Sequence, residues 1–201
     1  SDLADYLGLG DVVMQGMNFQ WHDAPENYRR AVAFIKDDPL SLGSLVTTHK
    51  IDLLTAALER LRQTPLVVER LIEGLSDEAM NQPAPDGGWA IRNALSHLRD
   101  AQGVFDFRVD LFLKDAHPIL EAKAVFAWAK NDAERPPSAR DIFDTYRVSR
   151  AEALRKLESL PLSDWWRTGE HEEFGTVTLR QQVSYFAAHE STHLSQIKAL
   201  S

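Results

Sequence analysis

FGTVTLRQQVSYFAAHESTHLSQI, Phe174 to Ile197, is the stretch on which the fold turns. Thr178 with Gln181 three residues later is the pattern of a capping box, in which each side chain bonds the other residue's backbone N–H. Behind it Leu179, Val183, Phe186, Leu194 and Ile197 keep helical spacing and predict one buried face. The same helix carries His189-Glu190-Ser191-Thr192-His193. Two imidazoles four residues apart share a helix face with Cβ atoms about 5–6 Å apart, so both can reach one cation. Two histidines on a solvated face, or cations offsetting the C-terminal end of the helix dipole, would show the same spacing.

Working outward, the chain predicts three more helices. Ile51, Leu54, Leu58, Leu61, Val68, Ile72 and Leu75 recur at steps of three and four, with Pro65 inside the run. Either the helix kinks there, or Thr64 caps a fresh helix with Pro65 in its first turn. Asn81 to Gly88, NQPAPDGG, is too rich in Pro and Gly to continue a helix. Trp89, Ile91, Ala94, Leu98, Ala101, Phe105 and Val109 then restore the 3.6 period to about Lys114. Residues 115–137 hold three prolines and the apolar patch VFAWA and read as a long crossover with a turn or two of helix. Ser138 opens SARD, another capping pattern, followed by Ile142, Tyr146, Leu154 and Leu157. LPLSDWWRTGEHEEFGTV reads as a polar, tryptophan-bearing connection. The expected class is all-α: a four-helix bundle over residues 51–201 with a long crossover and an irregular N-terminal arm, residues 1–50.

Glycines and prolines interrupt every period in that arm, and Leu45-Val46-Thr47 suits a strand as well as a turn. LVTTHK, Leu45 to Lys50, resembles a piece of the substrate-binding lobe of shikimate dehydrogenases, where a lysine after such a segment contacts substrate. No strand followed by GxGxxG accompanies it, so no dinucleotide site could serve Lys50. The arm shows no catalytic complement; His22 and His49 are the donors it would offer a metal.

Composition narrows the function. The chain has 201 residues, 22 basic against 30 acidic, for a formal charge of -8, which repels a phosphate backbone or an anionic bilayer. No apolar run approaches the length of a membrane span, and the acidic first residues do not suit a secretory signal. A soluble, cytoplasmic protein with no nucleic-acid or membrane partner is expected. With no cysteine in the chain, any metal must be held by His, Asp or Glu.

A third ligand has to come from upstream, because LSQIKALS after His193 contains no His, Asp or Glu. His97 lies on the rim of its helix's apolar stripe beside Ala94, Ala101 and Val104, as His189 and His193 do on theirs. Rim positions on neighbouring helices meet where bundle proteins build metal sites. A satisfied boundary histidine is the alternative for His97. Gln196 and Asp100, each one turn beyond a histidine, are candidates to orient the ligands or are ordinary polar rim residues. Glu190 projects along the stripe of Phe186 and Leu194, where an unpaired carboxylate would be costly, so it should have a partner or a site role. Trp165, Trp166 and His171 would wall the pocket or pack as a lid.

Three segments carry a family resemblance: ERLRQTPLVVERLIEGLSDEAM, GGWAIRNALSHLRDA and the closing FGTVTLRQQVSYFAAHESTHLSQI. From about Ala56 to Leu200 the chain resembles the DinB-like superfamily, also called YfiT-like metalloenzymes. The resemblance implies a four-helix bundle with a long crossover, a divalent metal such as zinc or nickel on His97, His189 and His193, and a homodimer. Characterised relatives include isomerases and transferases that use a low-molecular-weight thiol. The first fifty residues depart from the family layout.

The expected function is therefore a metal-dependent transferase or isomerase acting on a small molecule with a low-molecular-weight thiol as cosubstrate. A metal-dependent hydrolase with Glu190 as general base is the alternative, and a non-catalytic metal-binding bundle is a third.

Overall fold

The computed structural model describes residues 43–121, 137–172 and 174–201, with side chains from Leu54 onward. In chain order it has helices α1 (Gly43–Ile72), α2 (Asp77–Met80) and α3 (Ile91–Lys114), strand β1 (Ile119–Leu120) and helix α4 (Ala139–Glu158). A 3-10 turn at Leu162–Trp166, strands β2 (Thr168–His171) and β3 (Gly175–Thr178) and helix α5 (Leu179–Leu200) follow. α1, α3, α4 and α5 form the bundle: α1 packs on α5, α5 on α3, α3 on α4 and α4 back on α1.

The helix boundaries follow local chemistry. Ser138 accepts from Asp141 N–H while the Asp141 carboxylate accepts from Ser138 N–H, and Thr178 and Gln181 repeat the arrangement at the head of α5. At the head of α3 the Asn93 amide oxygen accepts from Ala90 N–H at 2.9 Å, which fixes the chain just after Trp89.

Two expectations need correction, and one pair of alternatives is decided. Leu45–Thr47 is neither strand nor turn: α1 begins at Gly43 and runs through residue 50, so the last residues assigned to the arm are the first turns of α1. α1 also continues through Pro65, so Thr64 is no cap; its hydroxyl donates back to the Arg60 carbonyl at 2.9 Å. The tryptophan-bearing connection is not mere loop. It forms β2 and β3, which pair antiparallel, while β1 from the crossover adds to β2 in parallel. The remainder of the arm and the VFAWA patch lie outside the described residues. Among the described residues no helix is long and apolar enough to cross a membrane.

Two glycines shape the small sheet. Gly175 closes the β2–β3 hairpin with φ 68°, a conformation that a side chain disfavours. At Gly169 a Cβ would stand 2.8 Å from Pro118 Cγ, 3.0 Å from its carbonyl oxygen and 3.2 Å from a Phe112 ring carbon. Gly169→Ala should therefore lower stability by about 1–3 kcal/mol through overpacking. A thermal midpoint equal to the parent's would show that Pro118 can give way freely.

The core is divided. One apolar cluster contains Leu54, Leu61, Phe105, Phe112, Leu157, Val183 and Phe186; the other contains Val68, Ile72, Leu95, Leu98, Phe143, Tyr146 and Ile197. Along every bundle helix a polar group lies at or next to the changeover: Thr64 on α1, Gln102 just past it on α3, Arg150 on α4, and His189, Glu190 and His193 on α5. All are buried. The candidate site is built on this polar layer.

Candidate metal centre

His97 comes from α3, and His189 and His193 from successive turns of α5. Helical spacing puts the latter two on one face, and the α3–α5 packing brings His97 against them. The Nε2 atoms of His97 and His193 each lie 3.2 Å from Nε2 of His189. The three rings are mutually inclined by 53–64°, so that edges rather than faces converge. All three ligand atoms fall within 4.8 Å of one another.

The donor set fits a divalent cation. Tetrahedral ligation at about 2.0–2.1 Å requires nitrogens about 3.3–3.4 Å apart, close to the separations found. Protonation agrees as well. Gln196 Oε1 lies 2.8 Å from His193 Nδ1, and an amide oxygen can only accept, so the bond assigns the proton to Nδ1 and leaves Nε2 a bare lone pair. His189 Nδ1 is buried and has no hydrogen-bond partner among the described residues. A neutral imidazole presents one lone pair, and at His193 the nitrogen that faces the other two rings is the one that carries it.

Electrostatics hold the imidazoles neutral. Burial, helped by the neighbouring His193, pushes His97 down to about 4. Burial drives His189 well below the ordinary imidazole value, and it lowers His193 against the opposing pull of Gln196 and Glu190. Neutral imidazole is the ligating form. These shifts also couple to folding. Between about pH 6.5 and 4 the unfolded chain takes up protons that the folded one refuses, so stability is complete above 6.5 and is lost as pH falls. The thermal midpoint of the metal-free protein should fall across that window. His97→Ala should make the slope shallower, and a pH-independent midpoint would contradict the buried, neutral triad.

The surroundings differ from expectation. Trp89, at the mouth and 40% exposed, stacks on His193 at 5.9 Å and 12°, with its centroid 5.4 Å from His97. Half-buried Tyr185 stacks on His189 at 6.1 Å. These two rings wall the site. Trp165 is instead buried in an apolar cluster, Trp166 lies under the Arg180 guanidinium, and His171 is linked to His189 through the rings of Phe174 and Tyr185. Gln196 bonds His193, as read from its spacing. Asp100 binds its neighbour Arg99.

Glu190 has the partner that its burial demanded. Both carboxylate oxygens accept from Arg150 of α4 in a bidentate pair, and both side chains are 1% exposed. A carboxylate so engaged is not poised to take a proton from bound water, and the general-base expectation for Glu190 has no support in this geometry. Arg150 was missed by sequence reasoning, although a signal existed: it lies at helical spacing between Tyr146 and Leu154 on the apolar stripe of α4.

Known proteins agree with this architecture. Residues 60–197 match the DinB superfamily model. "Uncharacterized protein YuaE" of Bacillus subtilis is 30% identical over 141 residues, spanning 64% of this chain and 87% of that protein. A protein of Oceanobacillus iheyensis named "Putative metal-dependent hydrolase" is 24% identical over 149 residues, 71% of this chain and 83% of its own. Among solved structures, YfiT from Bacillus subtilis, described as "a probable metal-dependent hydrolase with an unusual four-helix bundle topology", superposes with a TM-score of 0.63. At 21% identity, over 74% of this chain and 85% of YfiT, that likeness speaks for the fold alone. A four-helix bundle, a histidine triad shared by two of its helices and a family match over most of the chain lead to one assignment: the chain belongs to the DinB superfamily.

Proposed function

We propose that this protein binds a divalent cation, zinc or nickel, through His97, His189 and His193, and that it is a metal-dependent transferase or isomerase using a low-molecular-weight thiol. The observation that carries the reading is the convergence of three imidazoles at the rim of the bundle, with Nε2 of His97 and of His193 each 3.2 Å from Nε2 of His189, beside an exposed indole. A cation held by three protein ligands supplies an open position at which a thiol or water loses its proton near neutral pH. The chain's own part is to hold the ligands neutral and oriented. Gln196 fixes the His193 tautomer, burial disfavours a second proton on each of the three rings, and Trp89 offers a flat apolar face to a small substrate.

Glu190 is bound to Arg150 and is not free to act as a base, which favours a nucleophile activated by coordination alone. The hydrolase reading draws on the names of relatives such as the Oceanobacillus protein and on YfiT. It would use the same triad with water in place of the thiol.

The decisive assay loads the protein with zinc or nickel and measures thiol conjugation to small electrophiles beside ester and amide cleavage. Metal-dependent conjugation is expected, with cleavage at background. Metal-dependent cleavage in a protein inert towards thiols would promote the hydrolase. A homodimer and a cytoplasmic location belong to the same proposal, and sedimentation equilibrium tests the first.

A further inference from the structure

α4 supplies no ligand to the triad, yet its Arg150 touches all three other bundle helices. Nη1 donates to the Leu61 carbonyl of α1 at 3.0 Å and to Glu190 Oε2 of α5 at 2.8 Å, Nη2 donates to the other Glu190 oxygen, and Nε donates to Gln102 Oε1 of α3 at 2.7 Å. Gln102 in turn donates to Asp106, which also accepts from Ser149 beside Arg150 on α4. Tyr146 and Phe105 cover the guanidinium, with ring centroids 5.2 and 6.0 Å from Cζ.

The Leu61 carbonyl is free to accept for a reason written in the sequence. In an unbroken helix it would pair with the N–H of residue 65, and residue 65 is proline. Pro65 thus presents an acceptor to Arg150 while α1 continues past it.

Glu190 stands between the two α5 ligands in sequence, and Gln102 lies little more than a turn beyond His97 on α3. We propose that Arg150 is the positioning residue of the metal centre: from the helix without a ligand it holds α3 and α5 at the separation and rotation that bring the imidazoles together. Packing by itself does not explain its place. A buried ion pair can often be exchanged for apolar groups of similar volume at little loss of stability, whereas a three-way bond network fixes one relative arrangement of helices. The proposal rests on the triad being a metal site.

Cobalt(II) titration, followed by visible absorption, tests it. In Arg150→Met/Glu190→Gln the charges leave together, so the fold should persist with a thermal midpoint within a few degrees of the parent's. Cobalt affinity should fall about 10–100-fold, the usual effect of removing a group that orients ligands. Gln102→Leu removes only the tie to α3 and leaves Glu190 paired; it should weaken cobalt binding in the same direction, and it carries the test if the double variant does not fold. Parent-like affinity and absorption in the folded variants, whatever their midpoints, would reduce Arg150 to a stability element and overturn the proposal. A parent that takes up no cobalt would overturn the metal reading itself, a result distinct because it appears before any variant is made.

Discussion

Replacing His97, His189 or His193 by Ala is expected to abolish stoichiometric metal binding in each case, with most of the helix signal intact. Two imidazoles left behind cannot enclose a cation, and affinity should drop by orders of magnitude. The fold should tolerate the change because the apolar clusters on either side of the polar layer do not depend on it. His97 is the critical position, since it alone comes from α3. Metal analysis of protein purified without an affinity tag reads the loss directly. Thermal shift reads it independently: added zinc should raise the midpoint of the parent in proportion to the logarithm of its concentration and leave the variants unmoved. Full occupancy in His97→Ala would end the triad reading.

How much of this was legible depends on what kind of signal each residue sends. His189 and His193 announce themselves because helix geometry alone joins positions four apart. The capping pairs at Ser138 and Thr178 are likewise local. His97 required a long-range assumption about which helices neighbour one another, and its rim position supplied it. Trp89 was read as part of the apolar row of α3. Its role as a wall depends on where the loop before α3 turns, which no period encodes. Arg150 was invisible for a different reason: an isolated charge in a helix is by default a solvated one, and only its spacing from Tyr146 and Leu154 contradicts that. The carboxylate on the α5 stripe signalled that some cation must be buried, without saying where. β2 and β3 escaped because Thr168 to His171 is short and holds glycine and charge. Its alternation of exposed and buried residues appears only once Pro118 and Phe112 are in place.

Glu190→Gln should separate what the carboxylate does for the fold from what it does for chemistry. The substitution leaves the guanidinium of Arg150 buried with one neutral acceptor where it had a bidentate anion. Breaking one side of a buried pair costs about 3–5 kcal/mol, which for a protein of this size lowers the thermal midpoint by roughly 6–20 °C. The metal should remain, because the amide oxygen can still accept from Arg150 and so keep the tie between α4 and α5. Turnover per folded, metal-loaded molecule should therefore stay within about tenfold of the parent, whichever nucleophile the assay identifies. A general base behaves in the opposite way. Its loss would leave stability nearly unchanged and lower turnover by roughly 10²–10⁴-fold. Measuring both quantities on one preparation, with metal content confirmed, makes the outcomes easy to tell apart. A stable Glu190→Gln protein that binds its metal and has lost a hundredfold or more in turnover would return Glu190 to catalysis and would require Arg150 to release it during the reaction.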